Sequence, residues 1–183
     1  MENNTQAKPE KKIDFKGITQ TLISVCFGML AGLLIHNFVI STVLVSGSSM
    51  EPTYYDSQFL LLNRLTGYFG DYDRNDVVVV DISETEIHKD DVENYYIIKR
   101  VIGTPGDKIY INGYGDIYIN DEILDEENKY DTILNPGIAS TEIKLHEDEY
   151  FVLGDNRNNS LDSRSTYIGV INKKDILGKI ISK

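Results

Sequence analysis

The sequence predicts a mainly β protein, folded as an antiparallel β-barrel or sandwich, with one N-terminal transmembrane helix. Two observations support this prediction. An apolar segment near the N-terminus carries no charge, and the rest of the chain alternates apolar and polar residues in short runs broken by Gly, Asn, Asp and Pro. The 183 residues provide for one compact domain and a short appendage.

The apolar segment is long enough to cross a bilayer. No Asp, Glu, Lys or Arg lies between Lys16 and Glu51, although 26% of the chain is charged. Residues 18–40 are about 23 residues, which as a helix extend roughly 34 Å, compared with the ~30 Å hydrocarbon core. A cleavable signal peptide is the alternative, but its apolar core has about 7–15 residues. The length therefore favours an uncleaved anchor.

The lysines near the N-terminus predict the orientation. Lys8, Lys11, Lys12 and Lys16 precede the apolar segment, and no Lys or Arg follows it before Arg64. The positive-inside rule then places the N-terminus in the cytoplasm. We expect a cytoplasmic tail at residues 1–16, a transmembrane signal-anchor at 17–40 and an extracytoplasmic domain at 41–183, in a single-pass protein of the cell membrane.

Composition excludes two other classes of protein. The net charge of -11 and the absence of a Lys/Arg cluster argue against nucleic acid as a partner. Cys26, the single cysteine, excludes an internal disulfide framework.

Beyond the apolar segment, short alternating runs predict strands. They are residues 59–62, 77–82, 95–102, 108–111, 117–119, 142–145 and 150–153. The fourth and fifth runs read as a hairpin, with Asn112-Gly113 suited to a turn that needs positive φ. Residues 172–178 are expected to form one short helical turn.

Three clusters contain the candidate chemistry. The first is Ser46-Gly-Ser-Ser-Met-Glu-Pro-Thr53, directly after the apolar segment. About nine residues separate Ser49 from Ile40, so Ser49 lies within roughly 30 Å of the bilayer. Alone, such a Ser/Gly-rich run is usually a linker.

The second cluster contains Lys99 in the middle of a predicted strand that ends at Pro105-Gly106. Period-two alternation places Lys99 on one face with Ile97 and Val101, and burial there lowers a lysine pKa. The alternative is a solvent-facing Lys99 with Arg100 as the inward or paired residue. The sequence leaves the two open.

The third cluster, from Gly154 to Arg164, is a dense run of turn-forming residues. It fails as a calcium loop because Ser160 and Thr166 replace the required Gly and Glu. Asp162 and Arg164 offer an ion pair that would brace a supporting loop; a solvated surface loop is the alternative.

Histidine-based and metal-based chemistry find little support. His36 lies in the apolar segment, and His88 and His146 lie in acidic surroundings without a nucleophile nearby. No His/Cys pair has metal-ligand spacing, and neither a metal nor a cofactor is expected. If Ser49 is a nucleophile, a lysine is the best remaining base.

Together the clusters resemble the type I signal peptidase family in its compact Gram-positive form. The match covers about 130 residues in consistent order. Ser49-Met50-Glu51-Pro52-Thr53 is similar to the nucleophile box, residues 98–107 to the lysine box, and residues 154–164 to the G-D-N-R-x-N-S-x-D-S-R box.

The resemblance implies a membrane-bound serine endopeptidase with a Ser/Lys dyad. Ser49 would be the nucleophile and Lys99 the general base, Ser160 would hydrogen-bond Lys99, and Asp162 with Arg164 would brace the loop. The Ser49 backbone N–H would donate to the oxyanion. Where some relatives supply a second donor from a serine two residues before the nucleophile, this chain has Gly47.

Substrates and partners follow from the same resemblance. We expect cleavage of signal peptides from secreted preproteins after small residues, beside the lipid bilayer and the export translocon. Val43, Val45, Met50 and Ile98 are candidate walls of the substrate pockets. The competing function is a catalytically inactive signal-peptidase-like assembly factor for surface fibres; such proteins tend to lose part of the dyad.

Overall fold

The computed structural model describes residues 15–85, 95–126 and 130–181. The chain separates into two compact units, Met1–Asn37 and Phe38–Lys183. The first contains a single described helix, and the second contains all of the described strands.

Helix α1 spans Phe15–Phe38. Its Phe15–Ile35 portion has a mean hydropathy of 2.0 and is long and apolar enough to cross a membrane. Apolar side chains are exposed around the whole helix, among them Leu22, Phe27 and Leu33. A helix that is apolar all round, rather than along one stripe, is suited to an apolar surrounding. It begins and ends two residues before the predicted range of 17–40.

The second unit consists of two antiparallel sheets. Its strands are β1 (Ile40–Leu44), β2 (Phe59–Asn63), β3 (Val77–Asp81), β4 (Tyr96–Gly103), β5 (Lys108–Ile111), β6 (Ile117–Ile119), β7 (Glu122–Ile123), β8 (Ile143–Lys144), β9 (Glu149–Leu153), β10 (Ile171–Asn172) and β11 (Ile176–Ile180). The larger sheet has the order β1-β2-β11-β3-β4-β9-β10, and the smaller one β7-β6-β5-β8. A short helix, α2 (Leu65–Phe69), follows β2. The prediction of a mainly β, antiparallel fold is confirmed.

The larger sheet is buried on both faces at its centre. In β3, Val78 and Val80 belong to an apolar cluster that includes Val101 of β4. Val77 and Val79 belong to a different cluster, which includes Leu62 of β2. Because successive side chains of a strand point to opposite faces, an unbroken run of valines requires cover on both sides.

The smaller sheet packs against one end of the larger one. A third apolar cluster joins Ile102 of β4 and Phe151 of β9 to Ile109 of β5 and Ile119 of β6. Among the described strands no pairing closes either sheet into a barrel. Of the two predicted architectures, the packed sheets correspond to the sandwich.

Two local predictions need correction. The β5–β6 hairpin forms, with Ile109 opposite Ile119, but Gly115, rather than Asn112 or Gly113, takes positive φ in its turn. The Asn112 side chain accepts hydrogen bonds from two backbone N–H groups of the loop, which is longer than the two-residue turn that needs Asn-Gly.

The second correction concerns residues 172–178. The expected helical turn is confined to a 3₁₀ turn at Lys173–Asp175. The chain then enters β11, which lies between β2 and β3.

Candidate active site

The loop that holds Ser49 is fixed by hydrogen bonds rather than free. The backbone N–H of Asn156 donates to the Ser49 carbonyl at 3.0 Å, and the Asn156 side chain donates to the Ser48 carbonyl at 3.1 Å. Gly47, with φ of 83°, donates its N–H to Asp56 at 2.7 Å. These contacts exclude the flexible-linker interpretation of this segment.

Lys99 reaches Ser49 from the middle of β4. Lys99 Nζ lies 2.8 Å from Ser49 Oγ, and it donates to the Ile98 carbonyl at 2.9 Å. The lysine is only 2% exposed. The sequence left open whether this residue faces solvent, and the structure shows that it is buried.

Burial lowers the pKa of Lys99 to about 8. Desolvation is the main cause, because a low-dielectric surrounding disfavours the ammonium form. The negative charges of Asp162 and Asp155 act in the opposite direction, and the positive charge of Arg164 lowers the pKa further. An amine with this pKa is unprotonated in a much larger fraction near neutral pH than an ordinary lysine is, which favours its use as a general base.

Asp162 and Arg164 form the predicted ion pair. Arg164 Nε donates to Asp162 Oδ1 and Nη2 to Oδ2, both at 2.8 Å, and both residues are buried. Asp162 Oδ2 also accepts the N–H of Gly154 at 3.1 Å. The pair therefore ties the two ends of the third cluster together.

Ser160 does not make the expected hydrogen bond to Lys99. Its hydroxyl oxygen is buried and has no hydrogen-bond partner among the described residues. The hydroxyl lies against the backbone of Gly154: a Cβ at that position would be 2.2 Å from Ser160 Oγ and 2.6 Å from the Ser49 carbonyl oxygen. Ser160 is thus close to the Ser49 segment, and only a residue without a side chain fits between them.

A second buried ion pair, not predicted from the sequence, lies beside the dyad. Arg100 Nε donates to Asp155 Oδ1 at 2.7 Å and Nη2 to Oδ2 at 2.6 Å. Thr53 donates its hydroxyl to the same carboxylate at 2.5 Å. This network connects all three sequence clusters. Two features of the sequence could have indicated this ion pair. One is the arginine next to the lysine in the second cluster, and the other is the aspartate after the glycine in the third.

Arg157, for which the sequence predicted no role, links the third cluster to the segment after β7. Its guanidinium makes two hydrogen bonds to Glu126, at 2.6 and 2.5 Å, and lies 4.4 Å from the ring centroid of Tyr130. Glu126 and Tyr130 have no sequence motif around them, so no sequence signal identified them.

A groove of about 570 Å³ leads to the dyad. The candidate pocket residues Val43, Val45, Met50 and Ile98 all line it, together with Ser49 and Lys99. One wall is β1, the edge strand of the larger sheet, and the other is the first half of β4. The described residues contain no group of three or more His, Cys, Asp or Glu side chains arranged to hold a metal ion.

Comparison with known proteins identifies relatives along most of the chain. The family described as signal peptidase, peptidase S26, matches residues 18–183. Signal peptidase I P of Bacillus subtilis subsp. natto is 39% identical over 154 residues, 79% of this chain and 77% of the relative. Signal peptidase I S of Bacillus subtilis (strain 168) is 32% identical over 179 residues, 93% of this chain and 91% of the relative.

Among solved structures, a signal peptidase I from Enterococcus faecalis V583 shares 24% sequence identity. The match covers 61% of this chain and 97% of that one, with a TM-score of 0.43. On the strength of the family match and of relatives above 30% identity, this chain belongs to the signal peptidase I family of serine peptidases, which cleave signal peptides.

Proposed function

We propose that the chain cleaves signal peptides with Ser49 as nucleophile and Lys99 as general base. The observation that carries this proposal is the 2.8 Å distance between Lys99 Nζ and Ser49 Oγ. In addition, burial lowers the pKa of Lys99 to about 8. A nucleophile within hydrogen-bond reach of a neutral amine is the arrangement that Ser/Lys catalysis needs.

The chemistry proceeds in two steps. Ser49 Oγ attacks the substrate carbonyl while its proton passes to Lys99 Nζ, and the new amino terminus leaves with a proton from the same lysine. An acyl-enzyme on Ser49 remains. Lys99, neutral again, takes a proton from a water molecule that attacks the ester. It returns this proton to Ser49 Oγ as the ester bond breaks, and the signal peptide leaves with a new carboxyl terminus.

Surrounding residues position the dyad rather than react. The Ile98 carbonyl accepts a hydrogen bond from the Lys99 amine, and this contact orients the nitrogen lone pair towards Ser49. The buried Asp162–Arg164 pair braces the loop, and Ser160 lies in reach of the Ser49 segment with a hydroxyl that no described group engages. We assign Ser160 the role of orienting Lys99 once substrate fills the site.

The developing oxyanion is stabilised by the Ser49 backbone N–H. Gly47 has no hydroxyl to add, and its own N–H is occupied by Asp56. A second donor from this position is therefore absent in the described structure.

The groove between β1 and β4 accommodates the substrate as an extended strand. β1 pairs with β2 on one side only, so its other edge presents free backbone groups to a peptide. Val43, Val45, Met50 and Ile98 line the groove that contains Ser49. Such apolar walls favour small side chains next to the cut.

Helix α1 holds the enzyme in the membrane in this proposal. The lysines at its N-terminal side place residues 1–16 in the cytoplasm, residues 17–40 across the bilayer, and the catalytic domain outside. This arrangement brings the domain to the side where precursors emerge from the export translocon.

The test is cleavage of a purified preprotein by the full chain in detergent. Ser49→Ala and Lys99→Ala each remove one member of the dyad, so we expect neither variant to turn over. Ser165→Ala, a serine outside the groove and the dyad, is the matched control and retains activity. Turnover by either dyad variant would refute the proposed roles.

A further inference from the structure

Arg64 is the exception among the arginines of this chain. The other four each form an ion pair: Arg74 with Asp107, Arg100 with Asp155, Arg157 with Glu126 and Arg164 with Asp162. Within the part of the chain that the structure describes, the Arg64 side chain makes neither an ion pair nor a hydrogen bond. Its five N–H donors are therefore available to a ligand.

Arg64 lines the same groove as the dyad. Apart from Lys99 it is the only charged residue among those that line it, and the rest are apolar or carry hydroxyl groups. Arg64 is also half-buried. A guanidinium on a half-buried residue, in a groove whose only other charged residue is Lys99, is suited to an electron-rich group on whatever occupies that groove.

The two charged residues lie at opposite ends of β1. Ser49 and Lys99 lie beyond its last residue, whereas Arg64 follows Asn63, the partner of Ile40 at its start. The Arg64 backbone N–H donates to the Val39 carbonyl at 2.9 Å. The five residues of β1 extend about 17 Å, so an extended peptide needs about five residues to pass from the dyad to Arg64.

The covalent chain determines which end of the substrate reaches Arg64. Only Val39 separates Phe38, where α1 ends, from Ile40, where β1 begins, so the chain enters β1 from the anchor at the Arg64 end of the groove. A signal peptide carries its apolar segment before the cleavage site. Its apolar segment therefore approaches from the Arg64 end when the cleavage site is at Ser49.

An apolar segment in a bilayer is helical, because its backbone groups have no other partners there. The last carbonyl groups of a helix have no partners within it and carry a partial negative charge. They are electron-rich groups of the kind that a free guanidinium binds.

We propose that Arg64 is a specificity-determining residue that binds the carboxyl-terminal end of the substrate's apolar helix, about six residues before the cut. This inference rests on the proposed function. Arg64 would favour an acidic or neutral substrate residue at that position and disfavour a basic one, because like charges repel in a half-buried groove.

The test uses three preproteins that differ only in the sixth residue before the cut, which is Asp, Asn or Lys. The full-length enzyme is assayed in vesicles of phosphatidylcholine, and kcat/KM is compared between substrates. For the wild type we expect the kcat/KM of the Asp substrate to exceed that of the Lys substrate by about tenfold, because Arg64 attracts the acidic side chain and repels the basic one. Arg64→Gln removes the preference, Arg64→Glu reverses it and Arg64→Lys retains its direction.

Lys174→Gln is the matched control, because Lys174 is an exposed cation that does not line the groove; it leaves the Asp-to-Lys ratio unchanged. An equal ratio in the wild type and in Arg64→Glu would overturn the proposal, and if Arg64→Glu does not fold, an unchanged ratio in Arg64→Gln would do the same.

Three further results have separate meanings. If the Arg64 variants keep the wild-type Asp-to-Lys ratio and alter only the effect of added phosphatidylglycerol on kcat/KM, then Arg64 binds a lipid headgroup and the proposal is overturned. If the wild type cleaves none of the three substrates, the proposed function itself fails. A wild type that cleaves all three without preference refutes the Arg64 inference alone.

Discussion

Lys99 and Arg100 are adjacent cations in β4, but their surroundings have opposite effects on their charge. Arg100 makes two hydrogen bonds to the carboxylate of Asp155, and this partner raises its pKa despite burial. Lys99 has no carboxylate within hydrogen-bond distance among the described residues, and burial lowers its pKa to about 8. One residue is a permanent structural charge, and the other can lose its proton slightly above neutral pH.

The difference shows how one strand holds both a structural charge and the proposed general base. Neighbouring side chains of a strand point in opposite directions, so the carboxylate of Asp155 binds Arg100 without contacting Lys99. Asp155 and Asp162 still act on Lys99 through space and raise its pKa. Their charges limit how far burial lowers it.

Exchanging the cation at position 99 is expected to have the largest effect. Lys99→Arg places a guanidinium, which does not deprotonate, beside Ser49. We expect kcat/KM to fall by about 10⁴-fold, measured by preprotein cleavage. The reciprocal control, Arg100→Lys, keeps a positive charge beside Asp155, and we expect it to lower kcat/KM by about tenfold at most. Comparable activities in the two variants would contradict the contrast between these positions.

Removing the carboxylate tests the Arg100 side of the comparison. Asp155→Asn leaves the Arg100 guanidinium, whose side chain is 12% exposed, without its partner, and we expect the free energy of unfolding to fall by about 3 kcal/mol. Urea denaturation measures it. Asp71→Asn is the control, since its carboxylate is 82% exposed and such pairs contribute little.

The same variant has a second expected effect on Lys99. Asp155 raises the pKa of Lys99, so its neutralisation lowers that pKa. The acidic limb of the activity profile should therefore move to lower pH, and a shift to higher pH would contradict the assigned electrostatics.

The pH dependence of cleavage tests the neutral state of Lys99. Only the unprotonated amine accepts the Ser49 proton, so kcat/KM should rise with pH and level off above about 8, the pKa of Lys99. Below that value the rate should fall about tenfold per pH unit, or about 100-fold at pH 6. A flat profile between about pH 5 and 9 would exclude a lysine base.

Replacing the buried lysine should stabilise the fold while abolishing activity. A pKa of about 8 in the folded state, below the ordinary value of 10.5, means that the unfolded chain binds more protons between these two values. The free-energy cost of burying the Lys99 ammonium is thus complete below pH 8, and it is lost as the pH rises towards 10.5.

Lys99→Met removes that penalty, and we expect it to raise the free energy of unfolding by about 1–3 kcal/mol at pH 7. Urea denaturation at pH 7 and pH 10 measures the gain, which should shrink at the higher pH. An equal gain at both pH values would show that it does not arise from the charge on Lys99.

The local patterns of the sequence predicted most of the strands. Alternation located β2, β3, β4, β5, β6, β8 and β9 to within one or two residues, because their apolar positions face a core. β1, β11 and the two-residue strands β7 and β10 were not predicted. β1 continues an apolar segment without any change in composition, and β11 was obscured by the turn-forming and charged residues before it.

For the site, the sequence by itself determined which residues are present: a serine after an apolar segment, a lysine inside a strand, and an Asp–Arg pair in a turn-rich loop. Spacing along a chain carries this information because strands and turns have local signatures. Their resemblance to a known family was sufficient to predict a Ser/Lys dyad.

The tertiary structure alone decided which way these residues face. It buries Lys99, rather than Arg100, against Ser49, and it pairs Arg100 with Asp155 from a segment 55 residues away. It also leaves the Ser160 hydroxyl without a described hydrogen-bond partner. Arg64 lines the groove without a described partner for its side chain. The physical reason is that burial and charge pairing depend on contacts between distant segments, and a pattern in one strand does not specify what packs against it.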